Sequence, residues 1–315
     1  MKKVLITGYR GFVGQHCLQY FIENTDWEFI CIKSLESKET YHEKTPRVKV
    51  YKHDLSLPLG NELINKNPNI IINLASESNV EKSTLNPVYC LKNNYDIAIN
   101  MCEFARNCRD LELFIQMSTD EIYGESLPDF PHKEWFPIVP SNPYAASKAA
   151  QEAVAISYWK TYGVPLVIVN AMNIIGERQN SEKFIPKIIQ KISLDQEVPI
   201  YACNNTIGSR VYLHADNLAD ALIFISKIKP KDKTNCLPDR YNVCGNKELN
   251  NLELADMIAG IMGKELKYKL MPSQSNRPGY DGKHALDGSK IRNLGWKPPF
   301  SLLESLERIV DYYTN

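Results

Sequence analysis

Apolar residues in the first half of this chain fall in short, nearly unbroken runs. Lys3-Val4-Leu5-Ile6-Thr7, Glu28-Phe29-Ile30-Cys31-Ile32, Arg47-Val48-Lys49-Val50-Tyr51, Asn69-Ile70-Ile71-Ile72-Asn73-Leu74-Ala75, Leu113-Phe114-Ile115-Gln116-Met117 and Pro165-Leu166-Val167-Ile168-Val169 each suit a strand. Most of them show no polar side, the pattern of strands covered on both faces. Helical periods lie between them: one through Phe21-Ile22, one from Val88 to Asn107 entered at Asn86-Pro87, and one from Tyr144 to Tyr162. Strand and helix alternating at these intervals predict an α/β fold with a doubly wound parallel sheet.

Past Val169 the alternation loosens. Helices are expected over Glu182–Leu194, Asp216–Lys227, Leu252–Met262 and Ser301–Tyr313, with strands at Ser209–Leu213, Tyr241–Val243 and Leu266–Leu270. Residues 1–172 read as the sheet domain, with 209–240 returning to it. Residues 173–208 and 241–315 read mostly as a smaller mixed α/β lobe that covers a substrate.

Length and composition exclude more than they assign. A chain of 315 residues, 43% hydrophobic and 23% charged, holds one large domain or two smaller ones. Its 37 basic and 37 acidic side chains cancel, so charge gives no case for nucleic acid or an anionic membrane as partner. No run approaches the roughly 20 apolar residues of a membrane span. Met1-Lys2-Lys3 leads straight into the first strand, without a signal-peptide core. The 8 cysteines are scattered and the 6 histidines isolated, which fits reduced thiols in a cytoplasmic enzyme and no metal site.

Gly8-Tyr9-Arg10-Gly11-Phe12-Val13-Gly14 follows the first strand and opens a helix. Glycines there allow a tight turn and close approach of a pyrophosphate, whose charge the helix N-terminus attracts. The expected fold is therefore Rossmann-type. At the end of the second strand, where an acid commonly bonds the adenosine ribose, stands Lys33. With Arg10 it suits a 2′-phosphate, which favours NADP over NAD. Asp54, beside Leu55, is placed to accept from the adenine amino group, and Leu74-Ala75 let a cofactor lie close.

Two further segments carry the candidate chemistry. Ser118-Thr119-Asp120-Glu121-Ile122-Tyr123-Gly124 puts a hydroxyl and two acids at a strand's carboxyl end. Tyr144 and Lys148, four residues apart, share one helix face. Together they form a proton-transfer set.

These motifs resemble the extended short-chain dehydrogenase/reductase superfamily, and within it the nucleotide-sugar 4,6-dehydratases, the dTDP-glucose enzymes above all. Ser118–Gly124 matches Ser-Thr-Asp-Glu-Val-Tyr-Gly, and Pro140–Ala149 is similar to Pro-Ser-Ser-Pro-Tyr-Ser-Ala-Ser-Lys-Ala. Asn73–Ser83 resembles His-Leu-Ala-Ala-Glu-Ser-His-Val-Asp-Arg-Ser, Glu182–Pro186 resembles Glu-Lys-Leu-Ile-Pro, and Asn276–Asp281 resembles Asp-Arg-Pro-Gly-His-Asp.

The resemblance implies roles. Lys148 would lower the pKa of Tyr144 and hold the nicotinamide ribose. Tyr144, bonded through Thr119, would take the sugar 4-hydroxyl proton. Glu121 would remove the C5 proton, and Asp120 would protonate the leaving 6-hydroxyl. Asn94 falls near the cofactor, while Glu77, Asn173, Lys183, Arg210, Asn242 and Arg277 fall at positions that contact sugar, diphosphate or base. The resemblance also implies a homodimer through the Val88–Asn107 and Pro143–Tyr162 helices, with Val154, Ile156 and Trp159 as candidates for an outer stripe. The segment Tyr201–Gly208 departs from the family's turn and leaves dTDP or UDP open. A nucleotide-sugar 4-epimerase and a non-catalytic dinucleotide-binding protein are the alternative readings.

Overall fold

The computed structural model describes residues 1–34, 44–127, 130–203, 206–272 and 285–315. Seven strands form the main sheet: β1 (Lys3–Thr7), β2 (Glu28–Lys33), β3 (Val48–Lys52), β4 (Ile70–Asn73), β5 (Leu113–Thr119), β6 (Leu166–Ala171) and β12 (Asp239–Val243). Their order is β12-β6-β5-β4-β1-β2-β3, and every pairing is parallel. The unbroken apolar runs have the expected cause. Val4, Ile6, Ile70, Ile72, Val167 and Val169 face a core shared with α1 (Phe12–Asn24) and α7 (Ala215–Ile225). Leu5, Ile71, Phe114, Leu166 and Ile168 face the opposite core, against α4 (Pro87–Asn107) and α5 (Pro143–Tyr162). The sheet is Rossmann-type and doubly wound, and its strand order reverses between β1 and β4, where such sheets bind ligands.

The lobe has its own core, built on α6 (Phe184–Ser193), α8 (Asn251–Ile261) and α10 (Leu302–Thr314). A three-stranded sheet joins it, with β14 (Tyr268–Pro272) parallel and β9 (Thr206–Ile207) antiparallel to β8 (Val198–Cys203). The expected strand at 209–213 divides at Tyr212. Its first part, β10 (Ser209–Val211), pairs with β13 (Glu248–Asn250); its second, β11 (Leu213–His214), pairs with β7 (Ile174–Ile175). Three short helices complete the described residues: α2 (Asn61–Ile64), α3 (Val80–Leu85) and α9 (Ser289–Asn293).

Two expectations need correction. Tyr241–Val243 belongs to the main sheet, as the end of β12, and not to the lobe. Trp159 is 1% exposed inside the core beneath α5, and Val154 and Ile156 pack partly against that core. Trp159 therefore takes no part in an outer stripe, whereas Val154 and Ile156 stay partly exposed. Exposed apolar side chains on these helices include Leu85, Val88, Tyr89, Leu91 and Tyr95 on α3 and α4, and Tyr162 at the end of α5.

Charged groups tie the layers together. His16 of α1 sits 2.7 Å from Asp216 of α7 and 2.8 Å from the Glu177 carbonyl, and Arg308 of α10 bridges both acids. Arg240 of β12 pairs with Glu152 of α5, both almost wholly buried. Arg240 also donates to the Tyr123 hydroxyl at 3.1 Å and the Glu134 carbonyl at 2.9 Å, and its guanidinium lies 4.1 Å from the Trp135 ring centroid. It thereby staples the irregular segment after β5 onto the sheet edge.

Removing one partner of such a pair leaves a buried charge uncompensated. Arg240→Met should lower unfolding free energy by about 3–5 kcal/mol. Arg240→Met combined with Glu152→Gln should recover part of that loss, as read by urea denaturation.

Candidate active site

The site forms where β5 ends. Thr119 is the last residue of that strand, and its hydroxyl caps the short 3-10 turn Asp120–Tyr123 by accepting from the Glu121 N–H at 3.4 Å. The same hydroxyl is 3.0 Å from Asp120 Oδ1 and also hydrogen-bonds the Tyr144 phenol. Helix α5 begins with Pro143 at its first position and Asn142 as N-cap, a combination that fixes its start. The Asn142 carbonyl oxygen accepts from the Ala145 N–H at 2.9 Å, and its amide donates to Glu121 Oε2 at 2.8 Å. One asparagine thus aims both the helix and the acid.

The two adjacent acids have unlike surroundings. Asp120 is 7% exposed. Burial pushes its carboxyl up to about 6, against the Thr119 hydrogen bond and the charge of Arg210. Glu121 is only partly buried and accepts from Asn142. Burial also raises the Tyr144 phenol, with the charge of Glu121 next, while the Thr119 hydrogen bond opposes the rise. The expected lowering of this phenol by Lys148 is therefore not seen. Lys148 is 3% exposed, burial lowers its ammonium to about 8, and Nζ donates to Gln151 Oε1 at 2.6 Å.

The glycine loop fits a dinucleotide. Gly8 has φ +66°, and a Cβ there would stand 2.8 Å from the Ala75 nitrogen, while one on Gly14 would stand 2.1 Å from the Gly8 oxygen. The first turn of α1 has no side-chain cap and no acid, so its N–H groups are left for an anion. Arg10, Phe12, Val13, Leu74 and Ala75 line this end of the sheet. Lys33 closes β2 and is buried. Asp54 accepts from the N–H and hydroxyl of Ser56 at 2.9 and 2.8 Å, and Leu55 takes a hydrogen bond from Asn100 on its carbonyl. Asn94 is fully buried and clamps the segment after β4 onto α5: it binds the Glu77 backbone from both sides and donates to Ser147 Oγ at 2.8 Å.

Expected substrate residues fare unequally. Arg210 comes near enough to Asp120 for its charge to act there. Asn173 takes a positive φ of 42° and donates to the Val211 carbonyl at 3.1 Å, and Lys183 is exposed at the N-cap of α6. Asn242 does not fit a substrate contact. It is fully buried, and its amide donates to the His132 and Asp287 carbonyls at 2.9 and 3.3 Å. Its Oδ1 is buried without a hydrogen-bond partner among the described residues, while its amide joins Arg240 as a staple. Arg277 lies outside the described residues, as do Asn276, Tyr280, Lys283 and His284 from the same stretch and Asn204-Asn205 from the departing turn.

Two site residues escaped the sequence reading. The Asn142-Pro143 pair is a helix-start signature that could have singled out Asn142. Gln151 stands three residues after Lys148, on the same helix face.

Among the described residues no helix is long and apolar enough to cross a membrane. The dTDP-glucose 4,6-dehydratase of Haemophilus influenzae is 30% identical to this chain, over 99% of the chain and 98% of the relative. A dTDP-glucose 4,6-dehydratase of Streptomyces venezuelae, solved with NAD bound, superposes with a TM-score of 0.84 at 25% identity, over 99% of this chain and 97% of that one. The UDP-N-acetylglucosamine 4-epimerase of Methanobrevibacter ruminantium, solved with UDP-N-acetylmuramic acid, superposes equally well, with a TM-score of 0.84 at 25% identity over 99% and 98%. Residues 5–309 match the family model described as GDP-mannose 4,6 dehydratase, and with that match the chain belongs to the nucleotide-sugar 4,6-dehydratases of the extended short-chain dehydrogenase/reductase superfamily.

Proposed function

We propose that the protein converts a nucleoside-diphosphate hexose, dTDP- or UDP-glucose, to its 4-keto-6-deoxy sugar. One observation carries this reading: the adjacent acids at the end of β5 differ in environment, with Asp120 buried and pushed up to about 6 and Glu121 engaged as an acceptor by Asn142. Elimination of water needs both an acid and a base, and neighbouring groups with unlike surroundings supply them. Epimerisation at C4 needs neither.

A nicotinamide dinucleotide, when bound, would supply the hydride chemistry for oxidation at C4 and reduction at C6. Gly8, Arg10, Gly11, Phe12, Val13 and Gly14 would hold its pyrophosphate, and Lys148 its nicotinamide ribose. Tyr144, acting as its phenolate, takes the 4-hydroxyl proton and becomes the phenol; its Thr119 hydrogen bond favours the phenolate that starts the step. The 4-ketone acidifies C5–H. Glu121 removes that proton, Asp120 gives its own to the departing 6-hydroxyl, and water leaves; when C6 is reduced, Glu121 returns its proton to C5. Oxidation at C4 and reduction at C6 cancel.

Arg210 and Arg277 suit the diphosphate because a guanidinium donates two hydrogen bonds at once. The NAD named for the Streptomyces structure supports NAD, whereas Arg10 and Lys33 support NADP. Mass spectrometry of the dinucleotide released on denaturation decides between them. Leu85, Val88, Tyr89 and Tyr95 expose an apolar stripe on α3 and α4, which supports a homodimer through these helices.

Incubation with dTDP- and UDP-glucose should yield a product lighter by one water; unchanged mass would indicate epimerisation, and no product from either sugar would overturn the reading. Asp120→Asn should slow elimination by about 100- to 10,000-fold, while transient reduced nicotinamide still forms in single turnover. Because Asp120 must be protonated to act, elimination in the wild type should fall as pH rises above about 6; in Asp120→Asn that dependence should be absent. Light scattering should give twice the monomer mass, and Val88→Glu with Tyr95→Glu should halve it.

A further inference from the structure

Lys148 enters the site with a partner that the proposed chemistry does not use. Its Nζ donates to Gln151 Oε1 at 2.6 Å, and Gln151 Nε2 donates to the Asn94 main-chain oxygen at 2.9 Å. Behind Gln151 a chain of neutral side chains crosses the sheet. The Ala75 N–H donates to Thr7 Oγ1 at 3.2 Å, and Thr7 donates to Asn73 Oδ1 at 2.6 Å. The Asn73 amide donates to Gln116 Oε1 at 2.9 Å, and Gln116 Nε2 reaches Gln151 Oε1 at 3.4 Å and the Met117 carbonyl at 3.0 Å. Thr7, Asn73, Gln116 and Gln151 are all 0% exposed.

The polarity of the chain cannot reverse. The Ala75 N–H and an ammonium only donate, and the Asn94 and Met117 carbonyls only accept. Every amide between them is therefore locked in one orientation, and that of Gln151 turns its oxygen towards Lys148. Among the charged and titratable neighbours, Glu152 raises the Lys148 pKa through its charge but takes its own hydrogen bonds from Arg240 and Asn170. The Cys90 thiol of α4, which also raises Lys148, is itself raised by burial, so the hydrogen bond to the ammonium falls to Gln151.

We propose that Gln151 is a positioning residue for Lys148, its amide oxygen fixing the ammonium, with Gln116, Asn73 and Thr7 fixing that amide. The assignment rests on the dehydratase reading only for its catalytic consequence. A neutral acceptor holds the cation in place without the strong rise in pKa that a carboxylate partner would bring. The chain also begins at β1 and β4, the strands that flank the glycine loop, so the lysine is referenced to the cofactor side of the sheet.

Two measurements separate this proposal from the reading beneath it. Burial holds Lys148 near 8 against an ordinary 10.5, so an unfolded chain binds the extra proton between these values and wild-type stability rises with pH across them. Gln151→Met lowers the folded-state pKa further. Its Tm deficit should be largest below pH 8 and shrink as pH rises through 8, and in a Lys148→Met background that pH dependence should vanish. A deficit equal at all pH values, or unchanged by Lys148→Met, would overturn the proposal whether or not the protein is a dehydratase. In turnover, the alkaline limb should move down by about one pH unit in Gln151→Met and up in Gln151→Glu, with Gln116→Leu giving a smaller downward shift. Unmoved limbs in folded, active variants would also overturn it. Loss of dehydration in the wild type would sink the dehydratase reading and leave the Tm comparison decisive.

Discussion

A polar side chain inside a sheet covered on both faces must find a fixed partner, because water cannot reach it. The carboxyl end of this sheet is built under that constraint. Thr7, Asn73, Gln116, Asn170 and Asn242 occupy successive strands there, and all five are 0% exposed. Asn170 donates to the Thr119 carbonyl at 3.0 Å and to Glu152 at 3.2 Å, Asn242 holds the segment after β5, and the other three form the chain that ends at Lys148. Thr7–Asn73, Asn73–Gln116 and Asn170–Thr119 join neighbouring strands, and Gln116–Gln151 and Asn170–Glu152 join the sheet to α5. The layer thus serves as a rigid floor, and the reactive groups stand on it.

A rigid floor fixes the short, local geometry above it. Thr119 is held from behind by Asn170, so its hydroxyl can address Asp120 and Tyr144 from one position. Asn142 sets the first turn of α5 and Glu121 together. Asp120 sits lower than Glu121, on the buried side of the 3-10 turn, and burial alone accounts for the direction of its shift. The contrast between two chemically similar acids is thus a consequence of where a strand ends, not of any special partner.

Much of this was legible in the sequence, for reasons that can be named. The strands of the main sheet are unbroken apolar runs, and Gly8, Gly11 and Gly14 announce their turn. Tyr144 and Lys148 share a face by spacing alone. The lobe was read less well because its strands are short and its pairings distant: β8 and β14 meet across about seventy intervening residues of chain, a register no local period encodes. Asn242 was misplaced because a polar residue in a short strand looks the same whether it faces a ligand or two carbonyls. Gln116 and Gln151 passed unnoticed because a buried amide has no periodic signature; its meaning lies in partners on other strands.

The fold itself does not choose the reaction. A dehydratase and an epimerase superpose on this chain equally well, so the fold is common to both. What differs must lie in side chains that the common frame leaves unassigned. Under the proposed chemistry, Thr119, Tyr144 and Lys148 would serve the movement of a proton and a hydride at C4. The 3-10 turn after β5 adds an acid that burial biases towards its protonated form, beside a second acid held at the surface of the site. An isolated carboxylic acid at that turn could act only as acid or base. Two of them, one buried and one not, allow a proton to leave C5 while another reaches the C6 oxygen, and that pairing makes loss of water the chemistry this frame is best placed to perform.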